Sequence, residues 1–476
     1  MTERLLELLR AHGSNVYSFE MLEPGLEYWL NSDGTAAVAY VDSGGYWVAV
    51  GAPLAPPNQV EQVALEWARE ARRQGRGAAF FGASDRLVDR LASGPWDWLQ
   101  IGQQPAWDPR NWSRKLRSSP DLRRRLRRAV KAGVSVSEVP WQELQEGSAL
   151  RVQADALVRA WETGHAMPPM RFMVTLDLFS HLCERRFFIA RDPSGLVGLL
   201  VGVPIYARGG WLLDDLLVLR GSAPGASEAL IDLAMSTFER EQVSYVSLGM
   251  VALSGLGEGR LSRYPHPILD RLFNFSLRSM SWLYSFHGIR AFRSKFMPDA
   301  WEPVYLVGYR RVHLFTMRAV LMAFSGGWLP RFVARVATHQ LAPRVAGVNP
   351  AVFPTLAAGM TLWSGVLLSH AHLFGGLAPA WGWTLYDWLQ AGALWKVGTS
   401  RDLAERRKAA ALATRLAAVD ALVSLVQLAL SPRRSRGFLE GLITGAAVTG
   451  PLALAGFLWL YERGLEDVQG SFRPSR

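Results

Sequence analysis

The chain has 476 residues, 49% of them apolar and only 20% charged. That length suits two or three domains, and the charged share lies below the roughly 25% of an average soluble domain. A single cysteine excludes an internal disulfide framework and any cysteine-based zinc site. The net charge of +11 favours polyanionic partners, either nucleic acid or an anionic lipid surface.

The opening MTERLLELLRAHG is amphipathic, with charges throughout and no secretory apolar core, which predicts a cytoplasmic first part. Residues 1–140 read as an α/β domain. Ala36–Tyr40 and Tyr46–Val50 form paired strands around Asp42-Ser43-Gly44-Gly45. A helix over 58–74 stops at Gly75 and Gly77. A strand at Ala78–Phe81, a helix at Asp85–Leu91 and a strand at Trp98–Trp107 follow. Asp121 is placed to cap a helix over Leu122–Lys131 carrying Arg123, Arg124, Arg125, Arg127, Arg128 and Lys131, with Leu122, Leu126, Ala129 and Val130 facing inward. Six basic residues against one acid within 121–131 point to a phosphate backbone or anionic headgroups; the alternative is a solvated helix face. SVSEV after Gly133 resumes as a strand.

Residues 141–310 read as a second α/β domain. Helices are predicted at Gln142–Thr163 and Leu176–Glu184, the second making Cys183 a buried thiol. Strands are predicted at Phe187–Arg191, Leu196–Val203 and Gly210–Leu219. The last carries Asp214 and Asp215, which alternation puts on opposite faces, so that one, Asp215, faces a site. It runs into Arg220-Gly221-Ser222-Ala223-Pro224-Gly225 and a helix at Ser227–Glu241. Strand, glycine turn and helix form a layout that aims N–H groups at an anion; the plainer reading is a capped βα turn. A strand at Val243–Leu248, the stretch Gly249–Leu256, and elements at Met280–Phe286 and Ala300–Tyr309 close the domain.

From 311 to 476 the composition becomes helical and apolar. Residues 345–386 hold no Asp, Glu, Lys or Arg. Phe353–Phe374 is long enough for a bilayer core, which takes about 20 residues, and Gly441–Tyr461 is a second uncharged stretch. Leu377–Trp395 and Ala409–Leu430 are weaker candidates, interrupted by Asp387, Arg415 and Asp420. A large soluble bundle is the alternative. Basic clusters at Arg310–Arg344, Arg401–Lys408 and Arg433–Arg436 place their loops on the cytoplasmic side, which fits a hairpin followed by an interfacial or re-entrant segment. His370 and His372 lack acidic neighbours and suit a core or pore lining. The sequence has no P-loop, dinucleotide fingerprint, nucleophile elbow or metal constellation.

The element order of 141–310 resembles the GCN5-related acetyltransferase fold, although Ala223 stands where its pyrophosphate loop has the first glycine. More closely, the chain resembles the C-terminal catalytic domain of the phosphatidylglycerol lysyltransferases. The resemblance rests on Gly51-x-Pro53, Phe81-Gly82, Ile101-Gly102 and the run Leu122–Arg128 with Ala132-Gly133. It continues in Asp215 with Arg220-x-x-Ala223-Pro224-x-Gly225, Leu248-Gly249-Met250 with Leu253-Ser254, Phe292-Arg293-Ser294-Lys295-Phe296-x-Pro298, and Trp301-Glu302-Pro303-x-Tyr305. Ala52 replaces an aspartate of the family pattern, and Gln103-Gln104 stand where a glutamate is usual.

The resemblance implies tandem acetyltransferase-like folds and transfer of an amino acid from aminoacyl-tRNA to a lipid headgroup such as phosphatidylglycerol, at the cell membrane and without metal or cofactor. Asp215, Arg220, Lys295 and Glu302 are the implied catalytic set, with Lys295 and Glu302 as a possible pair. Asp214, Ala223, Gly225, Gly249, Ser254 and Arg293 would line the substrate. Arg123, Arg124, Arg127, Arg128 and Lys131 would lie along tRNA or lipid headgroups. Two alternatives stand beside this reading: an acyl-coenzyme A-dependent enzyme of the acetyltransferase fold, and a non-catalytic membrane-anchored binding module.

Overall fold

The computed structural model describes residues 2–164, 172–173, 176–256, 258–260, 264, 286–327, 338, 341–342, 344–430 and 438–471. They form two compact units, Met1–Phe332 and Val333–Arg476. The first opens with α1 (Thr2–His12), β1 (Glu27–Leu30), β2 (Ala37–Ser43) and β3 (Tyr46–Val50), then α2 (Val60–Arg73) and β4 (Gly77–Ser84). Gly44 and Gly45 both take positive φ, as the tight β2–β3 hairpin requires. The three strands are antiparallel, and α2 carries the chain across to a parallel β4. Trp67 of α2 is fully buried against Tyr40, Trp47 and Phe80, so one aromatic layer seals this face of the sheet.

The chain then builds α3 (Asp85–Leu91), β5 (Trp96–Trp107), α4 (Trp112–Ser118), α5 (Pro120–Lys131) and β6 (Ser135–Val139). After α6 (Ala149–Gly164) the order of the first half recurs. β7 (Arg186–Asp192), β8 (Gly195–Ile205) and β9 (Gly210–Val218) run antiparallel, and α7 (Ala226–Arg240) crosses to a parallel β10 (Tyr245–Ser247). β11 (Val251–Ala252), α8 (Phe286–Ser294), β12 (Ala300–Tyr309) and α9 (Leu314–Ser325) complete the unit. All twelve strands share one sheet, in the order β1-β2-β3-β4-β12-β5-β10-β9-β8-β7-β6, with β11 on β5. β12, from the end of the unit, inserts between β4 and β5 of the first half. β5 pairs with β12 along its length and with β10 at Ala106–Trp107, joining the halves.

Several sequence expectations change. Asp192-Pro193-Ser194-Gly195 turns between β7 and β8, whereas 176–184 is turns and a short 3-10 segment, and Cys183 is exposed. The helix expected from Gln142 begins at Ala149, after Gly147 at φ 83°. Of Met280–Phe286, only Phe286 lies within the described residues. α9 packs on the sheet unit through Ser43 Oγ donating to the Ala319 carbonyl at 3.1 Å, so this unit runs past residue 310.

The second unit holds α10 (Val352–Ser369), α11 (Leu377–Thr399), α12 (Leu403–Leu430) and α13 (Phe438–Ser471). Its side chains are distributed inside out. Leu362 is 77% exposed and Leu389 63%, whereas Asp387, Gln390 and Asp420 are buried. The interior is dominated by small residues, among them Ala357, Ala391, Ala410, Ala413 and Ala417, the composition that lets membrane helices approach closely. Val352–Ser369 and Leu403–Val426 are long and apolar enough to cross a membrane, with only 22% and 39% of their apolar windows buried. A soluble bundle would bury most of that surface. The first span ends at Ser369, short of Phe374, and the helix over 409–430, weakened in sequence by Asp420, is continuous because that carboxylate turns inward. The basic run Arg433–Arg436 lies outside the described residues. Alkaline carbonate extraction is expected to leave the chain in the membrane pellet; its appearance in the supernatant would make the second unit a soluble bundle.

Candidate active site

β9 carries the first group of the site. Val201 of β8 opposes Asp215 and Gly202 opposes Leu213, so Asp214 is the extra residue of a β-bulge. The bulge breaks the alternation expected of adjacent strand residues. Asp214 and Asp215 both come within electrostatic range of Arg185, Asp214 against Glu20 and Asp215 against Glu23 and Asp177. Glu20 sits on a 3-10 turn, Phe19–Leu22, and is buried with Oε1 unpartnered among the described residues. Glu23 accepts the Met173 N–H at 3.1 Å. Arg185 is fixed from outside, its Nε donating to the Ser180 carbonyl at 2.8 Å and its guanidinium 4.9 Å from the Phe19 ring centre. Burial, then the neighbouring Asp214, pushes Glu20 and Asp215 well above the ordinary carboxyl range; burial raises Asp214 as well, against Glu20 and Arg185. The group has more carboxylates than cations and is built to receive positive charge.

A second network adjoins it. Glu302 accepts from Tyr245 Oη at 2.7 Å, Gln104 Nε2 at 2.9 Å and Arg208 at 3.4 Å. Burial alone would raise Glu302, but these hydrogen bonds and the Arg208 charge hold it below its ordinary value. Arg208 lies 3.3 Å from the Tyr245 ring centre, and its charge also acts on Arg86, which burial and that neighbour shift down. Tyr17 links the groups. Its hydroxyl is buried and feels Arg293, the Met250 backbone, Tyr245 and Asp214. Arg293 donates to the Gly249 carbonyl at 2.6 Å, and Gly249 takes φ 73° beside Tyr17. Ser254 is buried, with Oγ on the Val251 carbonyl at 2.9 Å. Gly249 and Arg293 thus border the Tyr17 group, while Ser254 shapes the β11 turn. Among the described residues no group of three or more His, Cys, Asp and Glu is arranged to hold a metal.

The glycine turn after β9 serves packing. A Cβ on Gly225, at φ 94°, would lie 2.9 Å from both the Arg125 carbonyl and Ala129 Cβ of α5. The N-terminus of α7 is therefore covered by a helix. The Ala223 N–H donates to Asp192 Oδ2 at 3.1 Å, and Ser194 with that N–H holds Asp192 below the usual range. A pyrophosphate there would meet a carboxylate. Arg220 is exposed, and at about 3.3 Å per strand residue it lies roughly 16 Å along the chain from Asp215. Lys295 does not pair with Glu302. Its Nζ lies 3.4 Å from Glu228 Oε1, which Arg125 approaches at 3.7 Å. α5 is capped by the Ser119 hydroxyl rather than by Asp121, which instead bridges Arg124 and Arg125. Val130 faces out at 74% exposure, not inward. Arg123, Arg124, Arg127, Arg128 and Lys131 are all exposed.

Residues 7–308 match the family model described as phosphatidylglycerol lysyltransferase, C-terminal. The chain belongs to this family. Phosphatidylglycerol lysyltransferases of Bacillus subtilis and of Staphylococcus aureus strain MSSA476 are each 22% identical to it, over 315 and 317 residues, 65% and 64% of this chain. The chain spans about a third (35%) of the length of these curated relatives. Its fold matches the C-terminal domain of a putative lysylphosphatidylglycerol synthetase from Agrobacterium fabrum, at TM-score 0.57 and 19% identity over 69% of this chain and 98% of the other. It also matches L-PGS from Bacillus licheniformis, at TM-score 0.56 and 19% identity over 67% and 95%.

Two departures from the lysyltransferase family pattern have local explanations. Gln104 donates to Glu302 and Gln103 donates to Glu258 at 2.8 Å, so the amides supply protons where a glutamate would add a like charge. Ala52 packs against the core of the first half. Glu20, Glu23, Tyr17, Arg185, Arg208 and Tyr245 were missed in sequence because they come from four segments that only the fold brings together; no spacing marks them.

Two measurements test this geometry. Gly225→Ala forces α5 away and holds a side chain at positive φ; a loss of about 1–3 kcal/mol is expected in denaturant unfolding. Glu20→Gln tests the acid group. A carboxyl raised on folding holds its proton more tightly in the native state, so its cost is absent below about pH 4 and grows as pH rises toward the folded value. The variant should melt higher than the parent at about pH 7 and alike at about pH 4; an equal or lower Tm at neutral pH would contradict the buried-charge account.

Proposed function

We propose that the chain is a membrane-associated aminoacyltransferase that moves an amino acid from aminoacyl-tRNA to the headgroup of phosphatidylglycerol or a similar anionic lipid. The observation that carries the reading is the group of carboxylates around Arg185 beside the Arg208–Glu302 network. Glu20, Asp214 and Asp215 would seat the ammonium of the incoming aminoacyl group. Arg208 and Arg86 would hold the lipid phosphate, with Glu302 fixing Arg208. The glycerol hydroxyl forms a new ester bond to the acyl carbon as the bond to the terminal ribose of tRNA breaks, and its proton passes to the departing ribose oxygen. Tyr17, kept protonated by burial, would donate to the developing oxyanion. Gly249 and Arg293 would form the neighbouring wall, with Ser254 behind it.

Arg220, Ala223, Gly225 and Lys295 take different parts in this reading. Lys295 and Gly225 seat α5, Ala223 ties the turn to Asp192, and Arg220 offers a peripheral charge. The exposed Arg123, Arg124, Arg127, Arg128 and Lys131 would run along the tRNA backbone, with Arg114 and Arg117 of α4 extending the strip. The catalytic unit faces the cytoplasm, where charged tRNA is found, and the second unit keeps it at the bilayer. Acyl-coenzyme A is a poorer fit because α5 and Asp192 occupy the turn that would hold its pyrophosphate.

Mass spectrometry of lipids from cells expressing the chain should detect an aminoacylated anionic phospholipid that is lost with Asp214→Ala, Asp215→Ala or Arg208→Ala. Replacing Arg123, Arg127, Arg128 and Lys131 together by alanine should weaken charged-tRNA binding and flatten its log–log salt dependence by roughly 3. An unchanged slope would move the tRNA elsewhere, and an unchanged lipid profile from the wild-type chain would favour a non-catalytic module.

A further inference from the structure

The second unit holds a polar seam inside apolar helices. Thr384, Asp387 and Gln390 recur every third residue on α11 and so share a face, as do Asp420 and Ser424, four apart on α12. All five are more than nine-tenths buried. Gln390 Nε2 donates to Asp420 Oδ2 at 2.9 Å, and Ser424 Oγ donates to Asp420 Oδ1 at 3.4 Å. The other oxygens are left over. Thr384 Oγ1, Asp387 Oδ2 and Gln390 Oε1 are buried with no hydrogen-bond partner among the described residues. The two carboxylates are close enough to interact, and neither forms an ion pair with a described Lys or Arg.

Beside the seam lies an open cavity of about 310 Å³ walled by Trp383, Tyr386, Val419, Val423 and Asp420, the last being the seam residue in its lining. Asp420 belongs to both. Two of the unmet oxygens, Asp387 Oδ2 and Gln390 Oε1, can be met by donors, the Thr384 hydroxyl can accept as well as donate, and the two acids share a surround with low dielectric. What is missing is one positive charge that carries several hydrogen-bond donors. A primary ammonium has three donors, and aromatic walls attract it further. The cavity is far larger than a bare metal ion needs, so it suits an organic group. Buried ionisable residues between membrane helices mark sites of this kind.

We propose that this seam binds a primary ammonium group, presented in the cavity either by an amine-bearing lipid headgroup or by a free amine. The proposal concerns the second unit and stands whether or not the transferase reading holds.

The test uses the full chain in nanodiscs of phosphatidylglycerol, with phosphatidylethanolamine as the lipid probe and n-butylamine as the free amine. Native mass spectrometry reads retained lipid, and calorimetry reads the amine. Binding of either probe above the phosphatidylglycerol background is expected, weakened roughly tenfold or more by Asp387→Asn and by Asp420→Asn. Lipid binding without butylamine binding assigns the site to a headgroup; butylamine binding that competes with the lipid assigns it to free amines as well. Trp383→Leu leaves the acids intact and should also weaken binding, which keeps the test decisive where an aspartate variant fails to fold. Absence of binding, equal binding by the variants, or saturation of the same site by sodium ions would overturn the proposal.

Discussion

The structure of the first unit turns on one extra residue in β9. Without a bulge, Asp214 and Asp215 would project to opposite faces and only one could join Glu20 and Glu23. With it, both fall under the influence of Arg185. The result is a buried region with more carboxylates than cations, on a strand paired on both sides within the sheet. Such a region is unfavourable in an empty protein and favourable around a cation. The same local irregularity thus costs stability and creates binding capacity, a common balance at functional sites.

The neighbouring glycine turn shows how one backbone layout can serve two ends. A strand, a tight turn and a helix start can cradle an anion. Here α5 sits on the helix start, and Asp192 takes the free Ala223 N–H. Lys295 and Arg125 gather around the buried Glu228 at the same junction. The turn docks the arginine-rich helix and leaves its charged face in water. The substrate region proposed for this chain lies instead where Tyr17, Arg293, Tyr245 and Glu302 meet, between the two halves of the sheet.

The helical unit follows the opposite rule of burial from the sheet unit. Many of its alanines pack inside, large apolar side chains such as Leu362, Leu389 and Trp395 point out, and Asp387 and Asp420 are enclosed. That arrangement suits an apolar surround. It also makes each enclosed polar atom consequential, because no water is at hand to satisfy what the helices leave unmet.

Much of this was legible in the chain itself. Alternation and glycine punctuation gave Tyr46–Val50, Asp85–Leu91, Ser135–Val139 and Ala300–Tyr309 within their observed limits or close to them, and composition separated the helical region from the rest. Motif blocks such as Phe292–Pro298 and Trp301–Tyr305 carried the family resemblance. Both kinds of signal are local, and a strand period or a short motif survives without knowledge of neighbours. What the sequence could not reveal was partnership. It paired Lys295 with Glu302, buried Val130 and Cys183, put Asp214 and Asp215 on separate faces, and passed over Glu20, Tyr17 and Arg208. These depend on a bulge register, on β12 crossing into the first half, and on which face of α5 meets Gly225. Such facts arise from contacts between residues as distant in sequence as Val304 and Ser84, and only the tertiary structure decides them.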